Sequence, residues 1–137
     1  MTPQRRAGDN SREREGQLAE SEGLRKDPVL AVEATGEAVV IKLGGELDLY
    51  NAPQMRDALL AACNDSPQRI VVDLSEVEFM DSTALGVLIE VRSRLHNRRA
   101  FLLAAPGLET RRALEISGLD RHFTVLETVP EALAARL

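Results

Sequence analysis

The sequence predicts an α/β domain built on a mixed, mostly parallel sheet of four to five strands with about four helices. Short apolar runs alternate with segments of helical period, in the order β-β-α-β-α-β-α-β-α. A turn over residues 35–37 separates the first two runs, which predicts an antiparallel hairpin. Helical segments separate the later strands, as is typical of parallel strands joined by right-handed crossovers. If the strands add in sequence order, the crossover helices fall on one face of the sheet.

The first half of this domain is predicted to contain the hairpin, a loop and one helix. Strands are expected over residues 29–34 and 38–43, and a loop over residues 44–50. Asn51 is expected to cap the following helix, which has Pro53 in its first turn. The apolar positions that recur at helical spacing in this helix are Met55, Ala58, Leu59 and Ala62.

The second half alternates strands and helices. The predicted elements are a buried strand over 69–74, a helix from Ser82 to about Asn97, a strand over 100–105, a helix from Pro106 to about Ser117, a strand over 123–126 and a C-terminal helix that carries Leu133 and Leu137. Gly118 and Leu119 predict a Schellman-type helix stop. Thr128 and Glu131 have the spacing of a capping box for the last helix.

Residues 1–27 differ from the rest of the chain because they are highly charged and poor in large apolar side chains. Six basic and six acidic residues leave this segment without net charge, and its large apolar residues are Met1, Leu18 and Leu24. Such a segment buries too little surface to offset the entropy of ordering it. We therefore expect a disordered tail over residues 1–27 and one domain over residues 28–137.

The composition argues against nucleic acid and membrane partners. The chain has a net charge of −5 and only 3% aromatic residues, so it lacks the basic groove and stacking platform that bind nucleic acids. One basic cluster, interpreted as a solvated helix end, contains Arg92, Arg94, Arg98 and Arg99. No apolar run reaches the ~18 residues of a membrane span, and the amino terminus has no apolar signal core. We therefore expect a cytoplasmic protein.

The sequence contains few residue patterns that are typical of catalytic, metal-binding or cofactor-binding sites. Cys63 lies alone on the apolar side of a predicted helix, which favours a buried, inert thiol, and metal-ligand spacing is absent. A nucleophilic serine needs a base within reach, but His96 lies about fourteen residues beyond Ser82, roughly 20 Å along a helix. Ser82 also lacks the flanking glycines of a Gly-x-Ser-x-Gly motif. The chain is therefore not expected to be an enzyme or to hold a cofactor or metal.

The corner around Asp81, Ser82 and Thr83 carries the functional prediction. The triplet is expected where a loop becomes a helix, and a helix amino terminus favours a phosphate group. Asp81 is a good N-cap, so neither hydroxyl is needed for that role. Ala84 has a small side chain and Gly86 has none, so a partner could approach the first turns of the helix closely.

A second polar corner contains Glu46 and Asp48. They follow the second predicted strand, and the carboxyl ends of parallel strands share one edge, so we expect them near Asp81. A pair of carboxylates can perform acid–base work, bind Mg²⁺ or simply form a solvated loop. Asp48 close to Ser82 would resist a second negative charge there.

The chain from Val29 to Leu137 resembles the STAS domain, specifically the bacterial anti-sigma-factor antagonists. The matching blocks are Gly45–Asp48, Ala52–Pro53, Val71–Leu74, Phe79–Gly86 and Ser117–Leu119. The combination of the Gly-Glu-Leu-Asp block with the Phe-Met-Asp-Ser block at this separation is the most specific part of the match. The resemblance implies a STAS-like fold over residues 28–137.

The resemblance also implies a mechanism of partner switching. The unphosphorylated protein would bind an anti-sigma factor that is also a serine kinase, and the sigma factor would then be released. The kinase would phosphorylate Ser82, and a metal-dependent serine phosphatase would reset the system. By the same resemblance Asp81 positions Ser82, Thr83 is a minor acceptor at most, and Asp48 and Asn51 lie in the loop beside it.

The implied contact surface contains both polar and apolar residues. The expected partner-binding residues are Asp48, Asn51, Asp81, Ser82, Thr83, Ala84, Leu85 and Ile89. Leu85 and Ile89 are expected to be exposed and to add apolar contact. The family usually has glycine at the position of Ala84, so its methyl could crowd a kinase or tighten the helix start. Two alternatives stay open, a phosphorylation-independent STAS adaptor, for example on a transporter ATPase, and a small nucleotide-binding module. A monomer or weak dimer is expected.

Overall fold

The computed structural model describes residues 27–137 and contains a five-stranded sheet. The strands are β1 (Val29–Thr35), β2 (Ala38–Leu47), β3 (Arg69–Met80), β4 (Phe101–Ala104) and β5 (Thr124–Leu126). They lie in sequence order, with β1 antiparallel to β2 and every later pair parallel. The predicted mixed sheet is therefore confirmed. Apart from Asp27, the tail predicted over residues 1–27 lies outside the described residues.

Within residues 27–137, four α-helices accompany the sheet, as predicted. They are α1 (Ala52–Asn64), α2 (Ser82–Ser93), α3 (Leu108–Ser117) and α4 (Val129–Ala134). α2 ends at Ser93 instead of near Asn97, because the amides of Arg94 and Leu95 donate to carbonyls three residues back and tighten the last turn. α4 ends at Ala134, so Leu137 lies outside the helix and is exposed, contrary to the prediction.

The two faces of the sheet are covered unequally. Helices α1, α2 and α3, which connect the parallel strands, pack on one face and form the larger core cluster. The side chains of the strands alternate between this cluster, with Ile41, Val72 and Leu103, and a smaller one, with Val40, Val71 and Leu102. α4 contributes Ala132 to the smaller cluster, where Arg69 donates to the Ala132 carbonyl at 2.6 Å. The crossover helices therefore share one face, as expected.

The predicted helix signals at the end of the chain are largely confirmed. Gly118 follows α3 with a φ of +79°, and Leu119 packs against the larger core cluster. The Thr128 hydroxyl accepts a hydrogen bond from the Glu131 amide at 3.2 Å. The Glu131 carboxylate, however, accepts from the amide of Glu127 and not from that of Thr128, so only half of the capping box forms.

Strands β2 and β3 are both longer than the apolar pattern predicts. They continue to Leu47 and Met80, whereas the pattern placed their ends at Leu43 and Leu74. Leu47 and Met80 pair with each other, so the extra length carries both strands to the same edge of the sheet. The predicted loop between β2 and α1 is therefore shorter, and α2 follows β3 directly with only Asp81 between them.

Candidate functional site

Asp81 joins the end of β3 to the start of α2 and ties both to the neighbouring loop. One carboxylate oxygen accepts from the Ala84 amide at 3.0 Å, which confirms the predicted N-cap. The other oxygen accepts from the Leu49 amide at 3.2 Å, and the Asp81 amide donates to the Leu47 carbonyl at 3.0 Å. Both oxygens of Asp81 thus hold the chain in place around the helix start.

The loop between β2 and α1 is closed by its own side chains. The Asp48 carboxylate accepts from the amides of Tyr50, at 3.0 Å, and Asn51, at 3.2 Å. The Asn51 side chain accepts from the Asp48 amide at 2.9 Å and donates to the Glu46 carbonyl at 2.8 Å. Glu46 belongs to β2, where it is exposed, and not to the loop in which the sequence placed it. Asp48 and Asn51 therefore shape the loop whose Leu49 amide donates to Asp81.

Asn51 occupies the N-cap position of α1, but its side chain makes no capping hydrogen bond. The side-chain capping role predicted for it was wrong. A capping side chain accepts from the second or third amide of the helix. Here Pro53 has no amide hydrogen, and the amide of Gln54 already donates to the Asn51 backbone carbonyl at 3.1 Å. The Asn51 amide group is therefore free to bridge the loop instead.

Ser82 and Thr83 begin α2 and are both exposed. Neither hydroxyl has a hydrogen-bond partner among the residues that the structure describes. Because Asp81 supplies the cap, modification of either hydroxyl would break no contact within this part of the chain. A hydroxyl here lies at the positive end of the helix dipole, where a phosphate is well tolerated.

The other predicted contact residues of α2 fall on two different faces of the helix. Ala84 is fully buried and Leu85 is 8% exposed, and both belong to the larger core cluster. The expectation that Leu85 is exposed was wrong, because positions 84, 85, 88 and 91 share the helical stripe that faces the sheet. Ala84 therefore offers no surface to a partner in this conformation, and Leu85 offers little. Ile89 is 46% exposed and remains available.

Two exposed side chains at this site were missed by the sequence analysis. Leu49 and Tyr50 are 62% and 69% exposed, in the loop whose backbone donates to Asp81. The available signal was an apolar–aromatic pair inside a segment otherwise interpreted as a polar loop. We use the name α2 surface for the exposed residues of this loop and of the first turns of α2, namely Leu49, Tyr50, Ser82, Thr83, Gly86 and Ile89.

An ion-pair network links α1 to α2 beyond this surface. The Arg56 guanidinium binds both carboxylate oxygens of Glu90, at 2.8 and 2.7 Å, and Arg94 reaches the same carboxylate at 3.1 Å. The hydrogen bonds from Arg56 hold the pKa of Glu90 down at about 2. The spacing of Glu90 and Arg94 is visible in the sequence, but the partner from α1 is not. The network bridges the two helices at their partly exposed outer surface.

Among the residues that the structure describes, no side chain that could act as a catalytic base makes a hydrogen bond with Ser82. His96 lies beyond the carboxyl end of the helix that Ser82 begins. Cys63 is partly buried near the end of α1, and burial raises the pKa of its thiol, which disfavours the thiolate. Within residues 27–137, no three His, Cys, Asp or Glu side chains come together as metal ligands, and no helix there has the length and apolar character to cross a bilayer.

Comparison with known proteins decides the family. Residues 29–132 match the family model of the STAS domain. This chain belongs to the STAS domain family. The match covers all five strands and most of the last helix, so the fold and the α2 surface both lie within the family's domain.

The relatives of this STAS protein include several anti-sigma-factor antagonists. The anti-sigma-F factor antagonist RsfB of Mycobacterium tuberculosis is 35% identical over 94 residues, which cover 69% of this chain and 77% of RsfB. A crystal structure of an anti-sigma factor antagonist from Mycobacterium paratuberculosis is 36% identical, covers 76% of this chain and 89% of its own, and superposes with a TM-score of 0.72. These names describe regulatory proteins and not enzymes.

A third relative, the antagonist SpoIIAA, has been solved in two covalent states. Its unphosphorylated form superposes with a TM-score of 0.64, and its phosphorylated form, described as a Bacillus cell fate determinant, with a TM-score of 0.58. Both are 28% identical to this chain, cover 75% and 76% of it, and are themselves covered to 91% and 96%.

Proposed function

We propose that this STAS protein is an anti-sigma-factor antagonist whose binding is switched off by phosphorylation of Ser82. With a free Ser82 hydroxyl it binds an anti-sigma factor, which also acts as the serine kinase, and the sigma factor is released. A serine phosphatase restores the binding form, and all of these steps take place in the cytoplasm. The supporting observation is the Ser82 hydroxyl itself, which is exposed, unpartnered among the described residues and placed at a helix start already capped by Asp81.

The chemistry of the helix start explains how one phosphate can act as a switch. A phosphoserine carries a charge of about −1.5 to −2. In the free protein the amino terminus of α2 and the surrounding water stabilise that charge. In a complex the same charge would be desolvated next to the Asp81 carboxylate, at a cost of several kcal/mol. Because each ~1.4 kcal/mol changes the affinity tenfold, a switch of a hundredfold or more is within reach.

The neighbouring residues take supporting roles in this proposal. Asp81 holds Ser82 at the surface through its bonds to Ala84 and Leu49, and Asn51 braces the loop that flanks it. Thr83 has an equally exposed hydroxyl and serves as a minor acceptor at most. The methyl of Ala84, where the resemblance leads us to expect glycine, lies in the core, so it tightens the helix start and does not obstruct a kinase.

The decisive experiment measures binding and modification together. Wild type, Ser82→Ala, Ser82→Asp and the matched control Thr83→Ala are titrated against each purified serine-kinase anti-sigma factor of the source organism. We expect wild type, Ser82→Ala and Thr83→Ala to bind alike and Ser82→Asp to bind about a hundredfold more weakly. With ATP, mass spectrometry should locate one phosphate on Ser82 in wild type and none in Ser82→Ala. Equal affinities of Ser82→Ala and Ser82→Asp would contradict the proposal.

The same experiment separates the two alternatives that the sequence leaves open. A phosphorylation-independent adaptor would stay unmodified at Ser82 in protein purified from resting and from stressed cells, and would be captured with an ATPase. A nucleotide-binding module would give heat on titration with ATP or GTP in the absence of any partner. Neither result is expected if the protein is an anti-sigma-factor antagonist.

A further inference from the structure

The sheet face opposite helices α1, α2 and α3 is covered by a helix over only part of its area. Within residues 27–137, the six-residue helix α4 lies over β3, β4 and β5, and Val71, Leu102 and Ala104 of the sheet join its Ala132 in the smaller core cluster. β1 and the carboxyl-terminal parts of β2 and β3 lie outside that cluster. The side chains that they present on this face are therefore not explained by packing within the described chain.

Alternation along β2 and β3 places Phe79 in this uncovered area. Leu47 and Met80 pair with each other and are buried in the larger core cluster. The residues before them, Glu46 and Phe79, also pair, so their side chains point to the opposite face, where both are exposed. Phe79 itself is 50% exposed. It lies three residues before Ser82, so the uncovered area reaches the edge of the sheet at which Ser82 lies.

Leu30 of β1 adds a second apolar side chain to the same area. It lies directly over Gly44, where an added Cβ would be 2.5 Å from the Cδ1 atom of Leu30 and 3.3 Å from the Cβ atom of Glu76. Gly44 pairs with Glu76 in the sheet, and its amide donates to the Pro28 carbonyl at 3.0 Å. Leu30 is therefore held on the same face as Glu76, although 51% of it stays exposed.

The polar side chains of this area are mostly acidic. Lys42 and Asp73 pair across β2 and β3 between buried neighbours, so both point to this face, together with Glu46 and Glu76. One lysine and three carboxylates leave an excess of two negative charges. This excess disfavours contact with a second copy of the same area or with nucleic acid, and favours a protein with basic side chains around an apolar centre. We use the name open patch for Leu30, Lys42, Glu46, Asp73, Glu76 and Phe79.

We propose that the serine phosphatase that resets Ser82 docks on the open patch, with basic and apolar side chains against its carboxylates and against Leu30 and Phe79. This inference rests on the proposed function and assigns a surface to one of its steps. The anti-sigma factor must reject the phosphorylated protein, whereas the phosphatase must bind it. A docking surface on the other face of the sheet from the α2 surface meets this requirement, because a phosphate on Ser82 leaves its contacts in place.

The open patch is close enough to Ser82 for one partner to hold the patch and reach the phosphate. Phe79 precedes Ser82 by three residues, which span about 10 Å of extended chain. Between them, Met80 is buried in the core and Asp81 is held by hydrogen bonds from two backbone amides. The patch and the phosphorylated residue are therefore rigidly connected, and a phosphatase docked on the patch would carry its catalytic centre over the same edge of the sheet.

The test follows dephosphorylation of the full chain, phosphorylated on Ser82 by its kinase, by each purified serine phosphatase of the source organism. Phe79→Ala and Glu76→Lys alter the open patch, and Ile116→Ala and Glu115→Lys are matched controls at exposed positions of α3. We expect each patch variant to raise KM about tenfold and to leave kcat close to that of wild type, because docking is weakened while the phosphoserine is unchanged. Both controls should keep the wild-type KM.

Two further measurements separate docking from the chemistry at Ser82. Unphosphorylated Ser82→Ala keeps the open patch, so it should inhibit dephosphorylation of phosphorylated wild type competitively. Adding Phe79→Ala to this inhibitor should weaken the inhibition about tenfold. The affinity of unphosphorylated Phe79→Ala for the anti-sigma factor, and its melting temperature, should stay close to those of wild type, because this side chain lies outside the α2 surface and is half exposed.

The possible results distinguish the docking site from the function on which it rests. A wild-type KM in both patch variants would overturn the docking site, as would an equal loss of affinity for the anti-sigma factor in Phe79→Ala. A self-association of wild type in sedimentation that Phe79→Ala abolishes would assign the patch to a second copy and overturn it too. None of these results touches the Ser82 switch, which Ser82→Ala and Ser82→Asp test separately. If no phosphatase acts on phosphorylated wild type, the reset step of the proposed function fails and the docking site fails with it.

Discussion

Helix α2 has an inner face that serves the fold and an outer face that the described chain leaves uncovered. The inner face carries Ala84, Leu85 and Leu88, all buried in the larger core cluster. The outer face carries Ser82, Gly86 and Ile89, all exposed. The two sets interleave along one short stretch of sequence, yet the 3.6-residue period sends them in opposite directions.

The contrast shows how one motif can combine a rigid scaffold with a modifiable surface. Substitutions on the inner face should change stability and leave the affinity of the folded molecules unchanged. Substitutions on the outer face should change the partner affinity and leave stability largely unchanged. Asp81 stands between the two sets, since one oxygen caps the helix and the other holds the loop that flanks the outer face.

The largest expected effect on stability is that of Leu88→Ala, on the inner face. Leu88 is fully buried, so its truncation should lower the free energy of unfolding by about 2–5 kcal/mol. The neighbouring Ile89→Ala, on the outer face, should cost less than ~1 kcal/mol because this side chain is already half exposed. Urea denaturation measures both. A change in the partner affinity of folded Leu88→Ala would contradict the separation of the two faces.

Asp81→Ala should have an intermediate effect and should lower both the stability and the partner affinity. It removes the cap on the Ala84 amide and the acceptor for the Leu49 amide, which together should cost about 1–3 kcal/mol of stability. Because the loop then loosens beside Ser82, partner affinity should fall as well. Asp81→Asn keeps one acceptor oxygen and should lose less of each. Equal losses in the two variants, by urea denaturation and calorimetry, would argue against the hydrogen bonds as the cause.

The sequence was sufficient for the element order and for the Asp81 cap, but not for the division of α2 into two faces. Apolar periodicity and turn residues define most elements locally, and an N-cap is a local interaction too. The exposure of Leu85 was predicted wrongly because it depends on which face of α2 meets the sheet. The ends of β2 and β3 were missed because their last residues are partly polar and are held by pairing with each other. These features depend on tertiary contacts that periodicity does not encode.

In the candidate site, too, local features could be predicted from the sequence and tertiary contacts could not. A motif placed Asp81 and Ser82 at the start of α2, whereas the bridge from Arg56 to Glu90 joins residues 34 positions apart. The predicted capping role of Asn51 failed because Pro53 removes one amide and the backbone uses the next. Competition between a side chain and the backbone for one donor becomes visible only in three dimensions.

Asn51→Ala tests how strongly the loop supports the outer face. The substitution removes the bond from the Asp48 amide and the bond to the Glu46 carbonyl, so we expect a loss of about 1–2 kcal/mol of stability. Partner affinity should fall modestly because the loop carries Leu49 and Tyr50. Gln54→Ala, at an exposed position in the same helix, is the control and should stay within ~0.5 kcal/mol of wild type. Unchanged affinity in Asn51→Ala would mean that the loop takes no part in binding.

Glu90→Gln should have the smallest effect, because Glu90 and its two arginine partners are all partly exposed to water. The pKa of Glu90 is held at about 2, below its ordinary value of 4.5, by Arg56. A carboxyl whose pKa falls on folding stabilises the protein above its unfolded pKa and loses that contribution as the pH drops. The melting temperature of wild type should therefore exceed that of Glu90→Gln slightly at pH 7, and the difference should disappear between pH 4.5 and about 2. Added salt should shrink it at neutral pH. Glu115→Gln, which removes an exposed carboxylate from α3, is the control for the loss of one negative charge. An identical pH trend in both variants would show that the ion pair between Arg56 and Glu90 is not its cause.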